Sequence, residues 1–554
     1  MCKIHGDRVD YTPRFEFDHV SWRTRQGLGR GAVFCEDGRV RRDKVACDQP
    51  KEYYTQFGPC FGHYGVKSAY DDISYGLAAE RLTGMRFPDV LSDGVTVTHS
   101  DLITNQRVWC SNSSVLEWAL DLKQQVNSNY MCISSDYIQN YIDDATKVHV
   151  KRELRTRTCK DNLDKNPGHY DVHNDQTVGY KFKHYESLPF GKRNRGTCDL
   201  GTSASLVGGF LLDHVKDGFS SPYVVHGCQA KFVKPTGKTL DEGFHDLIHP
   251  THIMEYVYYS DDACVAINCV DRTTGKPTIW RANVDISACD GSHFSPVFNT
   301  TKYIMDSPLF TDVVNALFAQ LERPLRFDLP SGGSEVLFPT GPRLYSGSVL
   351  TTVVNNVANM LIFLSLSGML NGKRVYSDEL PLMLALAART AGYVVTCDVC
   401  LSLEQLQFLK RSPSIVDGGV VSWLNLGVWL RNYGYKEGDL PGKRSTPMPQ
   451  RIMSYNAGVV DSHKHDGNHT ISSAFRSTVQ HVVDRAVVEG SYFGAASNSE
   501  SFIPDECLAS RYDVTPEEIA ELADLIRRSS PGQIITSPVI NRIMLVDYGF
   551  KIET

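Results

Sequence analysis

The sequence predicts an α+β fold on three observations. Residues 255–291 hold three short aromatic and β-branched runs separated by turn residues, and residues 349–370 and 380–391 are apolar runs of helical length. A chain of 554 residues, 42% hydrophobic and 22% charged, is long enough to enclose a substantial core. This composition excludes a disordered chain and a small disulfide-stapled scaffold. Fifteen cysteines, an odd number without regular spacing, and the lack of a leader-like segment before them predict a reducing cytosol.

The elements follow in chain order. The stretch 147–195 carries 12 Lys and Arg against 6 Asp and Glu, although the net charge is −7. Such a local basic stretch suits a phosphate-bearing ligand. Residues 256–259 then form a strand, 260–263 are polar and tight enough to turn, and 264–267 are apolar again, a hairpin with Asp261 and Asp262 at its turn. A second turn signal at 271–276 leads into a third strand, 278–284, which ends on Asp285. So short a connection allows only neighbouring antiparallel strands, and Asp285 then falls opposite Asp262 at a strand spacing of about 4.8 Å. Carboxylates so placed can share hard divalent cations. One Asp-Asp pair alone would be an ordinary solvated turn.

The run 349–370 contains Asn355, Asn356 and Asn359, which lipid would penalise, so it reads as a buried helix and not a membrane span. Ser377 caps the next helix, Asp378 and Glu379 occupy its first turn, and residues 380–391 run to Gly392 before a strand at 393–396. Near the C-terminus, Thr515-Pro516-Glu517-Glu518 is a capped helix opening with proline in the first turn.

Asp285-Ile286-Ser287-Ala288-Cys289-Asp290 and the downstream Ser346-Gly347-Ser348-Val349-Leu350-Thr351-Thr352-Val353-Val354-Asn355 complete a pattern. The chain resembles viral RNA-dependent RNA polymerases: Ser260-Asp261-Asp262 is similar to palm motif C, D-x4-D to motif A, S-G-x3-T-x3-N to motif B, and Phe408-Leu409-Lys410-Arg411 to motif E. Motif C precedes A here, as in the permuted palms of birnaviruses and permutotetraviruses, although those usually carry Asn where Asp262 stands. The competing unpermuted reading would make Tyr376-Ser377-Asp378-Glu379 motif C. Its sequence is that of a helix start, followed by the helix and strand of motif D.

The resemblance implies a right-hand polymerase with an antiparallel palm sheet in C-A-B connectivity. Residues 1–254 would be fingers and N-terminal region, 255–303 palm, 304–341 a fingers insertion, 342–411 palm, and 412–554 thumb. It implies RNA-directed RNA synthesis with two Mg²⁺ or Mn²⁺ ions held by Asp261, Asp262 and Asp285. Asp290, Ser346, Thr351 and Asn355 would read the ribose, and Gly347 would free the motif B loop. Lys151, Arg155, Arg157, Arg193 and Arg195 would meet the triphosphate as motif F, and Lys410 and Arg411 would support the product strand. The implied partners are template and product RNA, ribonucleoside triphosphates and other viral replication proteins, in the host cytoplasm or a virion-associated replication complex. The family's motif D lysine is missing, since no Lys lies between Lys373 and Lys410.

Two rivals are a reverse transcriptase and a catalytically silent palm serving as an RNA-binding scaffold. Cys397 and Cys400 read as reduced cysteines on a strand. His245, His249 and His252 read as ordinary helix and loop residues, with a structural metal as the alternative.

Overall fold

The computed structural model describes residues 113–148, 178–182, 187–188, 195–200, 202–235, 238–293, 295–328, 334–339, 342–433, 445–461, 466–479, 501–530 and 533–550, with short strands between 4 and 67. Its centre is a six-stranded sheet: β1 (Tyr223–Val225), β2 (Cys228–Phe232), β3 (Met254–Tyr259), β4 (Asp262–Val270), β5 (Pro277–Ile286) and β6 (Val395–Cys400), adjacent in that order. The fold is mixed α/β.

The sheet is mixed, which corrects the expected antiparallel one. β2 and β3 run parallel, because residues 233–253 give room for a crossover through helix α3 (Lys238–Ile248). All other neighbours are antiparallel. The sheet also begins at Tyr223, upstream of the boundary expected at 254, since β1 and β2 belong to it.

Strand periodicity explains how both faces are covered. Tyr256 and Tyr258 on β3, with Ala263, Val265 and Ile267 on β4, enter the large core shared with helices α1 (Ser113–Tyr130), α2 (Thr202–Gly218), α4 (Ser295–Met305) and α5 (Thr351–Leu370). Val257, Cys264 and Ala266 point the other way, onto Leu240, Phe244 and Leu247 of α3 and onto Leu406 and Phe408. Burial on both faces is why 263–267 reads as unbroken apolar sequence. Among the described residues α5 alone is long and apolar enough to cross a membrane, and most of it is buried in this core.

Helix α6 (Leu380–Thr390) follows a short helical turn at Ser377–Glu379 and leads to β6; the cap position of that turn is Tyr376 and not the expected Ser377, because the Glu379 carboxylate reaches back to accept from Tyr376 N–H at 3.3 Å. The C-terminal part has its own core, built around Trp423, Trp429, Tyr512, Ile519 and Ile540. It comprises the hairpin β7 (Arg411–Val416) and β8 (Gly419–Leu424) and helices α7 (Leu426–Asn432), α8 (His469–Thr478), α9 (Asp505–Tyr512), α10 (Pro516–Arg528) and α11 (Pro538–Tyr548). Thr515 caps α10 as the sequence predicts: its hydroxyl accepts from Glu518 N–H at 3.2 Å, while the Glu518 carboxylate accepts from Thr515 N–H at 2.8 Å. Buried Arg511 ties this part to the sheet side, donating to Asp547 Oδ1 at 2.8 Å and to the Glu404 carbonyl at 2.9 Å.

Candidate active site

The β3–β4 connection is tighter than expected, two residues only, with Asp262 already in the strand opposite Tyr259. Ser260 takes a left-handed backbone, φ 54°, which strains a non-glycine residue by about 1–2 kcal/mol. Helix α5 holds it there. Asn356 Oδ1 accepts from Ser260 N–H at 2.7 Å, Asn359 Nδ2 donates to its carbonyl at 2.6 Å, and Asn355 Nδ2 donates to its hydroxyl at 3.2 Å. Tyr256 fixes Asn359 in turn, donating to its Oδ1 at 2.7 Å. The three asparagines that break the apolar run therefore clasp the turn that presents Asp261.

Across the hairpin, Asp262 is the register partner of Asp285. Asp285 sits one strand in from β6, opposite Thr396. Ser377 and Asp378 lie at the other end of the same strands, where Arg272 of the β4–β5 turn donates to Asp378 at 2.8 Å and to Glu379 at 2.9 Å. With Asp262 and Val270 bounding β4, that end is about 27 Å from the acids at the usual rise per residue.

The three acids line a cleft of about 810 Å³ that extends to α11, with Lys410, Arg542 and Tyr548 on its far side. Asp261 and Asp285 are exposed and Asp262 is half-buried. Desolvation, then the charges of Asp261 and Asp285, raise the Asp262 carboxyl to about 7, against a hydrogen bond from Leu409 N–H and the charge of Lys410. Burial raises Asp261 as well, opposed by its own backbone N–H and by Arg195.

Among the described residues no three His, Cys, Asp or Glu side chains are already gathered into a metal cage. The donor chemistry nevertheless fits divalent cations: hard oxygen ligands on adjacent strand positions, with like charges crowded enough to resist ionisation. Asp261, Asp262 and Asp285 are the residues that would hold them.

The chain leaves β5 through Ala288, left-handed at φ 47°, into the short helix Cys289–Ser292 that carries Asp290. Asn355 Nδ2 donates to Asp290 Oδ1 at 3.0 Å, bringing together two residues 65 apart in sequence. Arg343, buried, donates to the Gly291 carbonyl at 3.0 Å and pins this helix. The loop before α5 is tied to the strand Gly196–Asp199, since Cys198 N–H donates to the Ser346 carbonyl at 2.8 Å. Gly347, φ 103°, lies so close that a Cβ would stand 2.8 Å from the Cys198 carbonyl. Thr351 is half-buried at the start of α5, its hydroxyl donating to the Ser348 carbonyl at 2.9 Å.

The basic residues divide. Arg195 stands near enough to Asp261 to act on its charge. Lys151, Arg155, Arg157 and Arg193 lie outside the described residues. Phe408 and Arg411 exchange backbone hydrogen bonds around Leu409 and Lys410, at φ 55° and 63°, a two-residue turn whose Leu409 N–H donates to Asp262 at 2.9 Å. Lys410 donates to the Asp547 carbonyl at 2.6 Å and lies 4.3 Å from the Tyr548 ring centroid. Arg411 corrects the sequence expectation: it is 1% exposed, pairs with Asp466 at 2.6 Å and donates to the Ser422 carbonyl, which leaves no surface for RNA.

Cys397 and Cys400 are free cysteines on β6, and His252 pairs with Glu255 at 2.7 Å, apart from the tilted His245 and His249 ring pair. Sequence reading missed the clamp residues Asn356 and Asn359, although their spacing with Asn355 in an apolar helix was the available signal. It also missed His293, Tyr393 and Asp547, for which the sequence offers no pattern. No protein-family model matches the chain, and no curated protein matches it.

Proposed function

We propose that the chain is a viral RNA-directed RNA polymerase with a permuted palm, adding ribonucleotides to an RNA 3′ end. The observation that carries this reading is one of placement. Asp262 pairs in register with Asp285, and the Asn355–Asp290 pair reaches the same turn through Ser260. Metal-holding and sugar-reading groups thus share one end of one sheet. In this reading the six-stranded sheet is the palm, the C-terminal part the thumb, and the regions before and within the palm the fingers.

Asp261, Asp262 and Asp285 would hold two Mg²⁺ or Mn²⁺ ions, which when bound activate the attacking 3′-oxygen and stabilise the leaving oxygen. The chain's own groups do the rest. Arg195 offers a guanidinium fork to the triphosphate beside Asp261. Asn355 and Asp290 present donor and acceptor to a ribose 2′-hydroxyl, which is itself both. The clamp on Ser260 keeps the acid-bearing turn from relaxing as substrate arrives.

The test is Mg²⁺-dependent incorporation of ribonucleotides on a homopolymer RNA template, with deoxyribonucleotides in parallel. Ribonucleotide incorporation lost on chelation is the expected result. Incorporation of deoxyribonucleotides alone would make the chain a reverse transcriptase, and RNA binding without any incorporation would make it a silent scaffold. Template and product RNA, replication partners and a host cytoplasmic or virion-associated location belong to the same proposal.

A further inference from the structure

His293 is fully buried three residues beyond Asp290, and both its ring nitrogens are engaged. Nε2 lies 2.6 Å from Asn355 Oδ1, and Nδ1 lies 2.7 Å from the Tyr393 hydroxyl, itself buried. Burial lowers its pKa to about 4, so the ring is neutral at ordinary pH and carries one proton. The neighbours decide which nitrogen holds it. Asn355 directs its amide nitrogen at Asp290 Oδ1 and Ser260 Oγ, so the atom facing His293 is an oxygen and needs a donor. Nε2 therefore carries the proton, and the lone pair on Nδ1 accepts the Tyr393 O–H.

Turning the Asn355 amide over would set its oxygen against the Asp290 carboxylate and its nitrogen against the Nε2 proton. Both contacts would be repulsive. Cys289 Sγ adds a second, weaker donor to Asn355 Oδ1 at 3.3 Å. Asn355 thus receives two donors on one atom and gives two hydrogen bonds from the other.

We propose that Tyr393 and His293 are positioning residues for sugar choice: the Asn355 oxygen sets the Nε2–H tautomer of His293, Tyr393 supports it by donating to Nδ1, and His293 in turn fixes the Asn355 amide that holds Asp290 for the 2′-hydroxyl. The inference rests on the polymerase reading for its substrate, while the relay itself is a property of the folded chain. Its three members come from the segment after β5, from α5 and from the segment between α6 and β6. His293 and Tyr393 thus act on sugar choice through Asn355 and Asp290 without touching the nucleotide.

Two measurements on the full chain test it. Long-range ¹H–¹⁵N correlation spectra of histidine-labelled protein report the tautomer without any substrate. Nε2–H is expected in the wild type and in Tyr393→Phe, with the Nδ1 resonance of the variant moving toward that of an unbonded lone pair; Nδ1–H in the wild type, or an unmoved Nδ1 resonance in Tyr393→Phe, overturns the relay. Single-nucleotide incorporation with ribo and deoxy forms of one triphosphate then gives the ratio of kcat/KM values. That ratio should fall by about tenfold in His293→Phe and by about threefold in Tyr393→Phe, and return toward wild type in His293→Gln, whose amide can donate to the same oxygen. If the wild type discriminates and both Phe variants lose rate equally for the two sugars, His293 and Tyr393 are structural and the proposal falls. If the wild type incorporates neither sugar, the polymerase reading falls and the assignment to sugar choice with it, while the spectra still judge the relay.

Discussion

The two halves of the candidate site are built on opposite electrostatic principles. Around Asn355 donors meet acceptors, from Tyr393 through His293 to Asp290 and Ser260, in a largely buried setting. Around Asp262 three carboxylates crowd together, and the protein opposes their repulsion with two backbone N–H groups and the charges of Lys410 and Arg195. The first arrangement is rigid because it is satisfied. The second holds unfavourable charge that a bound divalent cation would relieve, so it should respond to ions and to pH where the first should not.

The strongest way to break this contrast is to remove a carboxylate. Asp261→Ala or Asp285→Ala should lower ribonucleotide incorporation by at least about a thousandfold, because each deletes a ligand that no neighbouring side chain can replace. Folding and RNA binding should persist, since both residues reach solvent and neither anchors a core. Incorporation within about tenfold of wild type by either variant would sink the assignment of the acids.

Lys410 and Arg411 are adjacent in sequence and have unlike roles, which a stability measurement can separate. Arg411→Ala would leave Asp466 buried and unpaired, at a cost of about 3–5 kcal/mol read by denaturant unfolding. Lys410→Ala removes an ammonium that donates to a helix-end carbonyl, lies over a ring face and acts on the Asp262 charge, and should cost about 1–2 kcal/mol. Equal effects on stability, with a matched loss of RNA affinity in both, would return Arg411 to the RNA surface.

Asp262 offers a pH test whose sign follows from its raised pKa. Its folded value of about 7 lies above the ordinary carboxylate value of about 4, so the folded state gains from the bound proton. That stabilisation is complete below about pH 4 and is lost as pH rises through about 7, by at most about 4 kcal/mol. In chelator, wild-type stability should therefore decline between about pH 4 and 8, and Asp262→Asn should flatten the decline while its amide oxygen keeps the Leu409 hydrogen bond. On the proposed polymerase reading the variant should still incorporate ribonucleotides, with preference shifted from Mg²⁺ toward Mn²⁺, because its amide oxygen is a neutral ligand in place of a carboxylate. Parallel stability curves for the two proteins would refute the charge crowding.

Much of this site is legible in the sequence because its logic is local. The β3–β4–β5 meander follows from alternating runs and short turns, and the pairing of Asp262 with Asp285 follows from the length of the connection between them. The Thr515 cap and the helix start after Tyr376 are readable for the same reason, although the capping position there is one residue earlier than Ser377. What escapes depends on long-range docking. The parallel pairing of β2 with β3 needs a crossover helix whose strands carry no distinguishing signal. The contacts of Lys410 with Asp547 and of His293 with Tyr393 join residues 137 and 100 positions apart, and only packing brings them together. Arg411 misleads because a basic run looks alike whether its side chains face a ligand or a buried acid.

The smallest and most discriminating effect is expected at Asn355 itself. Its amide nitrogen is shared between Asp290 and Ser260, so Asn355→Ala takes one donor from a half-buried carboxylate and removes one of three hydrogen bonds holding the strained Ser260 turn. The first loss concerns only a nucleotide bearing a 2′-hydroxyl, while the second slows all nucleotides alike. A missing hydrogen bond of the first kind costs about 1–3 kcal/mol, which is roughly tenfold to a hundredfold in the ribo-to-deoxy ratio of kcat/KM. Because Asn356 and Asn359 still grip the Ser260 backbone, the general loss should be the lesser of the two. Competing single-nucleotide incorporation separates them: a ratio that collapses while deoxyribonucleotide use is nearly kept makes Asn355 a reader of the sugar. A constant ratio with a uniformly lowered rate would place it wholly in the clamp, and would merge the two halves of the site into one.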